Sequence, residues 1–329
     1  MQTKLPVFVA RRGLSGGHRQ TLASFFLSRR IALPPAEARL ITVEPGVQVL
    51  AHCHWQSERQ KALTVIVVHG LEGSSDSTYM LGIAAKGLAA DMNVVRMNQR
   101  NCGGTEDLAP TLYHSGRSQD IAAVAQNLIE QDHISQLALV GYSMGGNLVL
   151  KLAGEWGSQG PREFRAVAAV CPAVNLAASA DALHLPGNRL YEQYFMWKLN
   201  HRLRTKARLF PGAFDPSRLH GIRSLREFDD RITAFYCGFI GADDYYDRAA
   251  AAHVLDRIAV PTFILNAAND PFIRILPETR RKILDNPHIN FVETEDGGHC
   301  SYLATTNGSN GDGRWAETRI VDFLRTIQA

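Results

Sequence analysis

The sequence alternates short apolar runs with longer amphipathic stretches, and this alternation constrains the fold more than any other feature. The runs have the length and β-branched content of strands that are buried on both faces. Stretches between them, such as residues 118–131, carry apolar residues at the spacing of one helix face. The runs occupy residues 63–68, 93–97, 137–140, 166–170, 261–265 and 289–293. This order predicts an α/β fold with a mostly parallel, doubly wound sheet.

Two segments depart from the alternation. Residues 39–55 alternate polar and apolar side chains around Glu44, Pro45 and Gly46, which predicts a β-hairpin at an antiparallel edge of the sheet. Residues 175–231 lack a clear period and are rich in Arg, aromatic residues and Pro. An irregular segment at this position is expected to form a cap over the carboxyl edge of the sheet, where α/β proteins bind ligands. We therefore expect a single domain over residues 1–329 with one inserted cap.

Composition excludes several classes of protein. The 35 Lys and Arg residues against 32 Asp and Glu residues give a net charge of +3, which argues against a dedicated nucleic-acid-binding protein. The five cysteines are far apart in sequence and include no CxxC pair. An odd, sparse set of this kind is typical of reduced thiols and not of a disulfide framework. No signal-peptide core and no apolar stretch of about 18 residues occurs, so we expect a cytoplasmic protein without an integral membrane segment.

The strongest chemical signal is the sequence G-Y-S-M-G at residues 141–145. It follows an apolar run directly and precedes a helical pattern, so it predicts a sharp strand-to-helix turn that lifts the Ser143 hydroxyl out of the sheet. The flanking glycines leave room there, and a helix N-terminus favours nearby negative charge. A glycine-rich turn with a solvated serine is the alternative, but the strand before it and the helix after it favour a nucleophile.

A serine nucleophile needs a base, and in folds with this turn the partners follow in the order serine, acid, histidine. Asp270 and His299 each come just after a predicted strand, so both side chains should meet Ser143 at one edge of the sheet. We predict that His299 accepts the serine proton and that Asp270 orients the imidazole. The acidic group at residues 243–247 is expected to cap a helix instead, and Asp296 is too close to His299 in sequence.

An oxyanion hole should complete the site. Its predicted donors are the backbone N–H groups of Met144 and of Leu71, the latter in the loop His69-Gly-Leu-Glu-Gly73. Cys300 lies next to His299 in sequence but has no strand-to-helix turn, so we expect it to pack rather than to react. No phosphate loop, dinucleotide fingerprint or HExxH pattern occurs, and we expect neither a cofactor nor a metal ion.

Several segments together resemble the α/β-hydrolase superfamily, and within it the branch of YheT-like bacterial hydrolases and ABHD lipases. The segments that carry this resemblance are residues 17–22, 69–74, 98–104, 141–147 and 228–231. The resemblance implies a triad of Ser143, Asp270 and His299 and an activity on acyl esters.

The sequence therefore predicts a serine hydrolase that cleaves carboxylic esters of small to medium acyl chains through an acyl-enzyme. Transfer of the acyl group to an alcohol or thiol would use the same triad, and a catalytically silent binding protein is a third hypothesis. Residues 190–208 combine aromatic side chains with a basic flank. We expect them to form a helix that packs its aromatic residues on the sheet edge and keeps its charges in water; weak association with a lipid interface is the alternative.

Overall fold

The computed structural model describes residues 6–27, 29–306 and 311–328 and contains an eight-stranded, mostly parallel sheet. Its strands are β1 Glu37–Glu44, β2 Val47–His54, β3 Thr64–Val68, β4 Asn93–Met97, β5 Leu137–Tyr142, β6 Phe164–Val170, β7 Thr262–Ala267 and β8 Ile289–Thr294. The spatial order is β1-β2-β4-β3-β5-β6-β7-β8, and β2 pairs antiparallel with both of its neighbours. The predicted fold class and the predicted hairpin edge are confirmed.

Helices cover both faces of the sheet. They are α1 Gly17–Phe26, α2 Thr78–Leu88, α3 Ser118–Asp132, α4 Met144–Trp156, α5 Leu176–Leu183, α6 Arg189–Leu209, α7 Leu225–Phe228, α8 Phe235–Cys237, α9 Ala242–Ala249, α10 Pro277–Asp285 and α11 Trp315–Gln328. A π-helix, Asp229–Ala234, joins α7 to α8. Two apolar clusters form the core, one on each face, because β3, β4 and β5 are buried along their whole length. None of the described helices is long and apolar enough to span a membrane.

The strand order brings the predicted site residues to one edge. β3 lies between β4 and β5, so the order of the strands reverses there and the loops that follow β3 and β5 lie side by side. β7 and β8 continue the sheet in parallel on the far side of β6. The loops that carry Leu71, Ser143, Asp270 and His299 therefore all leave the carboxyl edge of the sheet.

The segment between β6 and β7 consists largely of helices. Helix α6 runs for 21 residues over the stretch 190–208 where the sequence predicts a helix, and further helices follow it where no clear period is visible in the sequence. Its apolar side chains pack with those of neighbouring helices into a separate cluster over the sheet edge. The buried members are Leu112, Met196, Leu199, Leu203, Phe214, Leu219, Phe228 and Ile232.

The orientation of α6 differs from the expectation. Lys206 is fully buried and the side chain of Arg202 is 10% exposed, whereas Trp197 is 67% exposed. Lys206 donates hydrogen bonds to the backbone carbonyls of Glu106 and Ala109. The charges of Arg202 and Lys206 therefore do not stay in water, because oxygen acceptors that are distant in sequence stabilise them inside the protein. Arg204 and Arg208 on the same helix are exposed.

Candidate active site

The turn between β5 and α4 holds Ser143 in a backbone conformation that few residues adopt. Ser143 has φ 55° and ψ −118°, and its N–H donates to the carbonyl of Val170 at 2.9 Å. A Cβ at Gly141 would lie 2.2 Å from the carbonyl oxygen of Gly145, and one at Gly145 would lie 2.4 Å from that of Val68. Both glycines are therefore required by the close approach of the backbone, and the strain at Ser143 is held by its surroundings.

The structure brings the three predicted side chains together in one chain of hydrogen bonds. His299 Nε2 lies 3.0 Å from Ser143 Oγ, and His299 Nδ1 lies 2.8 Å from Asp270 Oδ2. Asp270 Oδ1 accepts the N–H groups of Phe272 and Ile273. Burial acts to raise the pKa of Asp270, but the imidazole and these two N–H groups hold that pKa below its usual value. Asp270 therefore stays ionised beside the imidazole.

The other acidic candidates have different partners. Asp296 accepts a hydrogen bond from Asn269 Nδ2 at 2.8 Å and lies in the loop before His299 without bonding its ring. Asp244 lies in the first turn of α9 and accepts the N–H of Ile240, whereas the first N–H of the helix, that of Ala242, donates to Asp230.

Helix α1 contacts the loop that carries His299, although the two segments are almost 280 residues apart in sequence. Thr21 Oγ1 accepts the N–H of His299 at 2.8 Å. A Cβ at Gly298 would lie 2.5 Å from the carbonyl oxygen of Gly17, so α1 packs directly on the histidine loop. No local sequence pattern assigns a role to residues 17–22, and the structure places them against the histidine loop.

The predicted oxyanion donors lie beside the serine. Leu71 and Met144 line the same pocket as Ser143, and no backbone hydrogen bond within the described residues uses their N–H groups. A Cβ at Gly70 would lie 3.1 Å from Ser143 Cβ, and the Gly70 N–H donates to Tyr79 Oη at 3.0 Å. This loop therefore passes close to Ser143 while two N–H groups remain available to a ligand.

Glu72 connects this loop to helix α6. Its carboxylate accepts two hydrogen bonds from Arg202, each 2.8 Å, and a third from Tyr113 Oη at 2.7 Å. Lys198 donates to the carbonyl oxygen of Glu72. Burial acts to raise the pKa of Glu72, but the bonds and charge of Arg202 hold it below its usual value. The loop that carries Leu71 is thus fastened to α6 by a buried ion pair.

Cys300 packs directly beside the imidazole of His299. Its Sγ is 3.8 Å from His299 Nε2, and its backbone adopts a φ of 60°. Burial and the adjacent Cys171 raise the pKa of the Cys300 thiol well above its usual value, which is unfavourable for a nucleophile. Ser143, and not Cys300, occupies the strand-to-helix turn.

Two cavities meet at Ser143. The inner cavity is lined mainly by apolar side chains of the sheet edge and of the helical segment, among them Leu176, Leu199, Leu203 and Phe228. The outer cavity has a volume of about 610 Å³ and contains His299 together with polar groups of the loop after β3. The arrangement offers an apolar compartment and a compartment of mixed polar and aromatic lining, both of which reach one hydroxyl group.

Acid is expected to destabilise the fold through His69. Its Nε2 accepts the N–H of Gln99 and its Nδ1 lies 2.8 Å from the carbonyl oxygen of Gly70, so the ring is neutral and donates from Nδ1. Burial lowers the pKa of His69 from 6.5 to about 4. The unfolded chain therefore binds a proton at a higher pH than the folded chain does, and stability is lost as the pH falls from about 6.5 toward 4.

At pH 5 this single histidine should cost about 2 kcal/mol of the free energy of unfolding. Urea denaturation at pH 7 and pH 5 measures that loss, which should be smaller in His69→Gln. The exposed His220 serves as the matched control, since His220→Gln should show the pH dependence of the wild type. An equal pH dependence in the His69 and His220 variants would contradict the prediction.

Known proteins resemble this chain in sequence and in fold. Residues 64–214 match the family described as the alpha/beta hydrolase fold. YheT of Escherichia coli (strain K12), whose name describes it as an esterase, is 31% identical over 325 residues, which cover 97% of this chain and 93% of YheT. The phospholipase ABHD3 of Mus musculus is 28% identical over 86% of this chain and 70% of its own length.

Among solved structures, the esterase Pf2001 of Pyrococcus furiosus superposes with a TM-score of 0.58 and 15% identity, covering 92% of this chain and 99% of that chain. At that identity the likeness shows the fold alone. The sequence relationship to YheT extends over nearly the whole of both chains and shows the family. The chain therefore belongs to the α/β-hydrolase superfamily, in the branch of esterases and phospholipases that contains YheT and ABHD3.

Proposed function

We propose that the protein is a serine hydrolase that cleaves carboxylic esters of small to medium acyl chains through an acyl-enzyme. The observation that carries this proposal is the hydrogen-bonded series Ser143, His299 and Asp270, whose serine lines both an apolar cavity and a larger cavity of mixed lining. The esterase and phospholipase names of YheT and ABHD3 support the same reaction class. Ester hydrolysis by this arrangement needs neither a metal ion nor a cofactor.

In the proposed reaction, Ser143 Oγ attacks the ester carbonyl carbon while His299 Nε2 accepts the hydroxyl proton. The N–H groups of Leu71 and Met144 would stabilise the negative charge that develops on the carbonyl oxygen. His299 then gives its proton to the departing alcohol, and the acyl group remains on Ser143. Water attacks this acyl-enzyme and loses a proton to His299, which then gives that proton to Ser143 Oγ as the carboxylic acid leaves. Asp270 stabilises the imidazolium at both stages.

We also propose how the substrate lies. The apolar inner cavity suits the acyl chain, and the outer cavity suits the alcohol part, because it contains polar groups and His299. Residues 175–231 would act as a cap within a single domain of residues 1–329, since Leu199, Leu203 and Phe228 from this segment line the inner cavity.

A fluorophosphonate probe tests the proposal directly. It should form a covalent phosphonyl adduct, which mass spectrometry of proteolytic fragments would locate on Ser143. Ser143→Ala should remove the adduct, whereas Ser77→Ala, a change at another serine of the outer cavity, should retain it. Unlabelled but folded wild-type protein would contradict an activated serine and would favour a silent binding protein.

Chain-length preference should depend on Leu199. Replacing Leu199 by Trp fills part of the inner cavity, so the ratio of kcat/KM for the octanoate to that for the acetate p-nitrophenyl ester should fall by about 10-fold or more. Leu190 lies on the same helix but is 74% exposed, so Leu190→Trp should leave the ratio unchanged. If both variants gave the wild-type ratio, the inner cavity would not hold the acyl chain.

A further inference from the structure

Two thiols and the imidazole of the site form a cluster that the proposed reaction does not use. Cys171 Sγ, Cys300 Sγ and one ring nitrogen of His299 all lie within 4.8 Å of one another. Among the residues that the structure describes, this is the one group of three such side chains with metal-binding spacing. The three residues come from the ends of two different strands, so the sheet and not a local sequence motif brings them together.

The spacing agrees with that of the ligands of a tetrahedral ion. Zinc binds sulfur at about 2.3 Å and imidazole nitrogen at about 2.0–2.1 Å, so neighbouring ligand atoms lie about 3.5–3.8 Å apart. Cys300 Sγ is 3.8 Å from His299 Nε2. Small side-chain rotations would therefore bring the three atoms to a common ion, without a change in the backbone.

The surroundings also resemble those of a metal site. His299 Nδ1 is hydrogen-bonded to the Asp270 carboxylate, an arrangement that orients histidine ligands of zinc. Cys171 Sγ accepts the N–H of Cys300 at 3.4 Å and lies 3.7 Å from Tyr302 Oη. The two S–H groups donate to the carbonyls of Gly298 and Val170, and a bound ion would replace both of these weak hydrogen bonds. Cys300 and His299 line the outer cavity, which gives an ion a path to the cluster.

We propose that Cys171, Cys300 and His299 bind a thiophilic divalent cation of the Zn²⁺ or Cd²⁺ type and that binding inhibits ester hydrolysis. Two thiolates and one imidazole favour soft and borderline ions over Mg²⁺ or Ca²⁺. On binding, each thiol releases its proton to water and the ion accepts the lone pair of His299 Nε2. That nitrogen then cannot take the proton of Ser143, so the inhibitory part of the proposal rests on the proposed function.

Cadmium is the probe of choice, because its thiolate complexes absorb in the ultraviolet and so report binding without any measurement of activity. Reduced wild-type protein, freed of reductant, should develop this absorbance up to one Cd²⁺ per chain. Hydrolysis of a p-nitrophenyl ester should fall in proportion, and a chelator should restore it. Mg²⁺ should give neither effect.

Variants that each lack one cysteine show which thiols bind the cadmium ion. Replacing a residue that only hydrogen-bonds to a metal ligand weakens metal affinity by about 10–100-fold. Loss of a ligand itself, in Cys171→Ala or Cys300→Ala, should therefore weaken Cd²⁺ binding by at least that factor. Cys237→Ala, at a cysteine in the separate cluster under α6, should bind Cd²⁺ as the wild type does. Cys300 is only partly buried, so its variant keeps the test valid if Cys171→Ala fails to fold.

The outcomes distinguish the two proposals. Absence of the cadmium absorbance in the wild type, or unchanged absorbance in Cys300→Ala, would overturn the metal site whether or not the protein hydrolyses esters. Stoichiometric binding without loss of hydrolysis would overturn the inhibition. Failure of the proposed function would appear separately, as an absence of fluorophosphonate labelling in the metal-free protein.

Discussion

Asp270→Asn is expected to lower kcat for ester hydrolysis by about 10⁴-fold, because an amide at this position no longer selects the imidazole tautomer that accepts the serine proton. The Asp270 carboxylate accepts from His299 Nδ1 at 2.8 Å and is fixed by the N–H groups of Phe272 and Ile273. The asparagine can keep the two backbone bonds, so the fold should persist. Steady-state kinetics with a p-nitrophenyl ester, together with circular dichroism, checks both expectations.

Asp296→Asn is the matched control for this prediction. Asp296 lies three residues before His299, is partly buried and accepts hydrogen bonds from backbone and side-chain groups, but it does not bond the ring. Its replacement should change kcat by less than about 10-fold, since it removes no interaction with the imidazole. A larger loss in Asp296→Asn than in Asp270→Asn would reverse the assignment of the acid.

Arg202→Met is expected to have the second largest effect, on stability as well as on rate. The change leaves the Glu72 carboxylate buried without its bidentate partner, and removal of one member of a buried ion pair typically costs about 3–5 kcal/mol. The loop that carries the Leu71 N–H also loses an anchor on α6. Since loss of one oxyanion donor lowers kcat by about 10²–10³-fold, kcat should fall toward that range while KM changes less.

Two further variants test the cause of this effect. In the double variant Glu72→Gln with Arg202→Met no unpaired charge remains, so much of the lost free energy of unfolding should return. Arg226 also pairs with two carboxylates, Asp181 and Asp243, but these are exposed, so Arg226→Met should cost less than about 1 kcal/mol. Urea denaturation of the four proteins measures these differences. Equal losses in Arg202→Met and Arg226→Met would show that the buried pair does not hold the loop.

Local sequence determined the framework of this protein. Mostly apolar, β-branched runs such as β3 indicate burial on both faces, and the turn at Ser143 depends on Gly141 and Gly145, where a Cβ would collide with the backbone. Asp270 and His299 could be selected because each follows a strand, and parallel strands deliver their loops to one edge. These features depend on interactions between residues that are close in sequence, or on the regular alternation of strands and helices. A sequence pattern can therefore reveal them.

Tertiary structure alone decided how the helical segment meets the site. Arg202 and Lys206 are buried on α6 because their acceptors lie about 100 residues or more away in the chain, and no periodicity within α6 reports such partners. The same holds for Thr21 behind His299 and for the approach of Cys300 to the imidazole. Whether a charged or polar side chain is stable inside a protein depends on the partners that the whole fold supplies, and these partners become neighbours only when the sheet assembles.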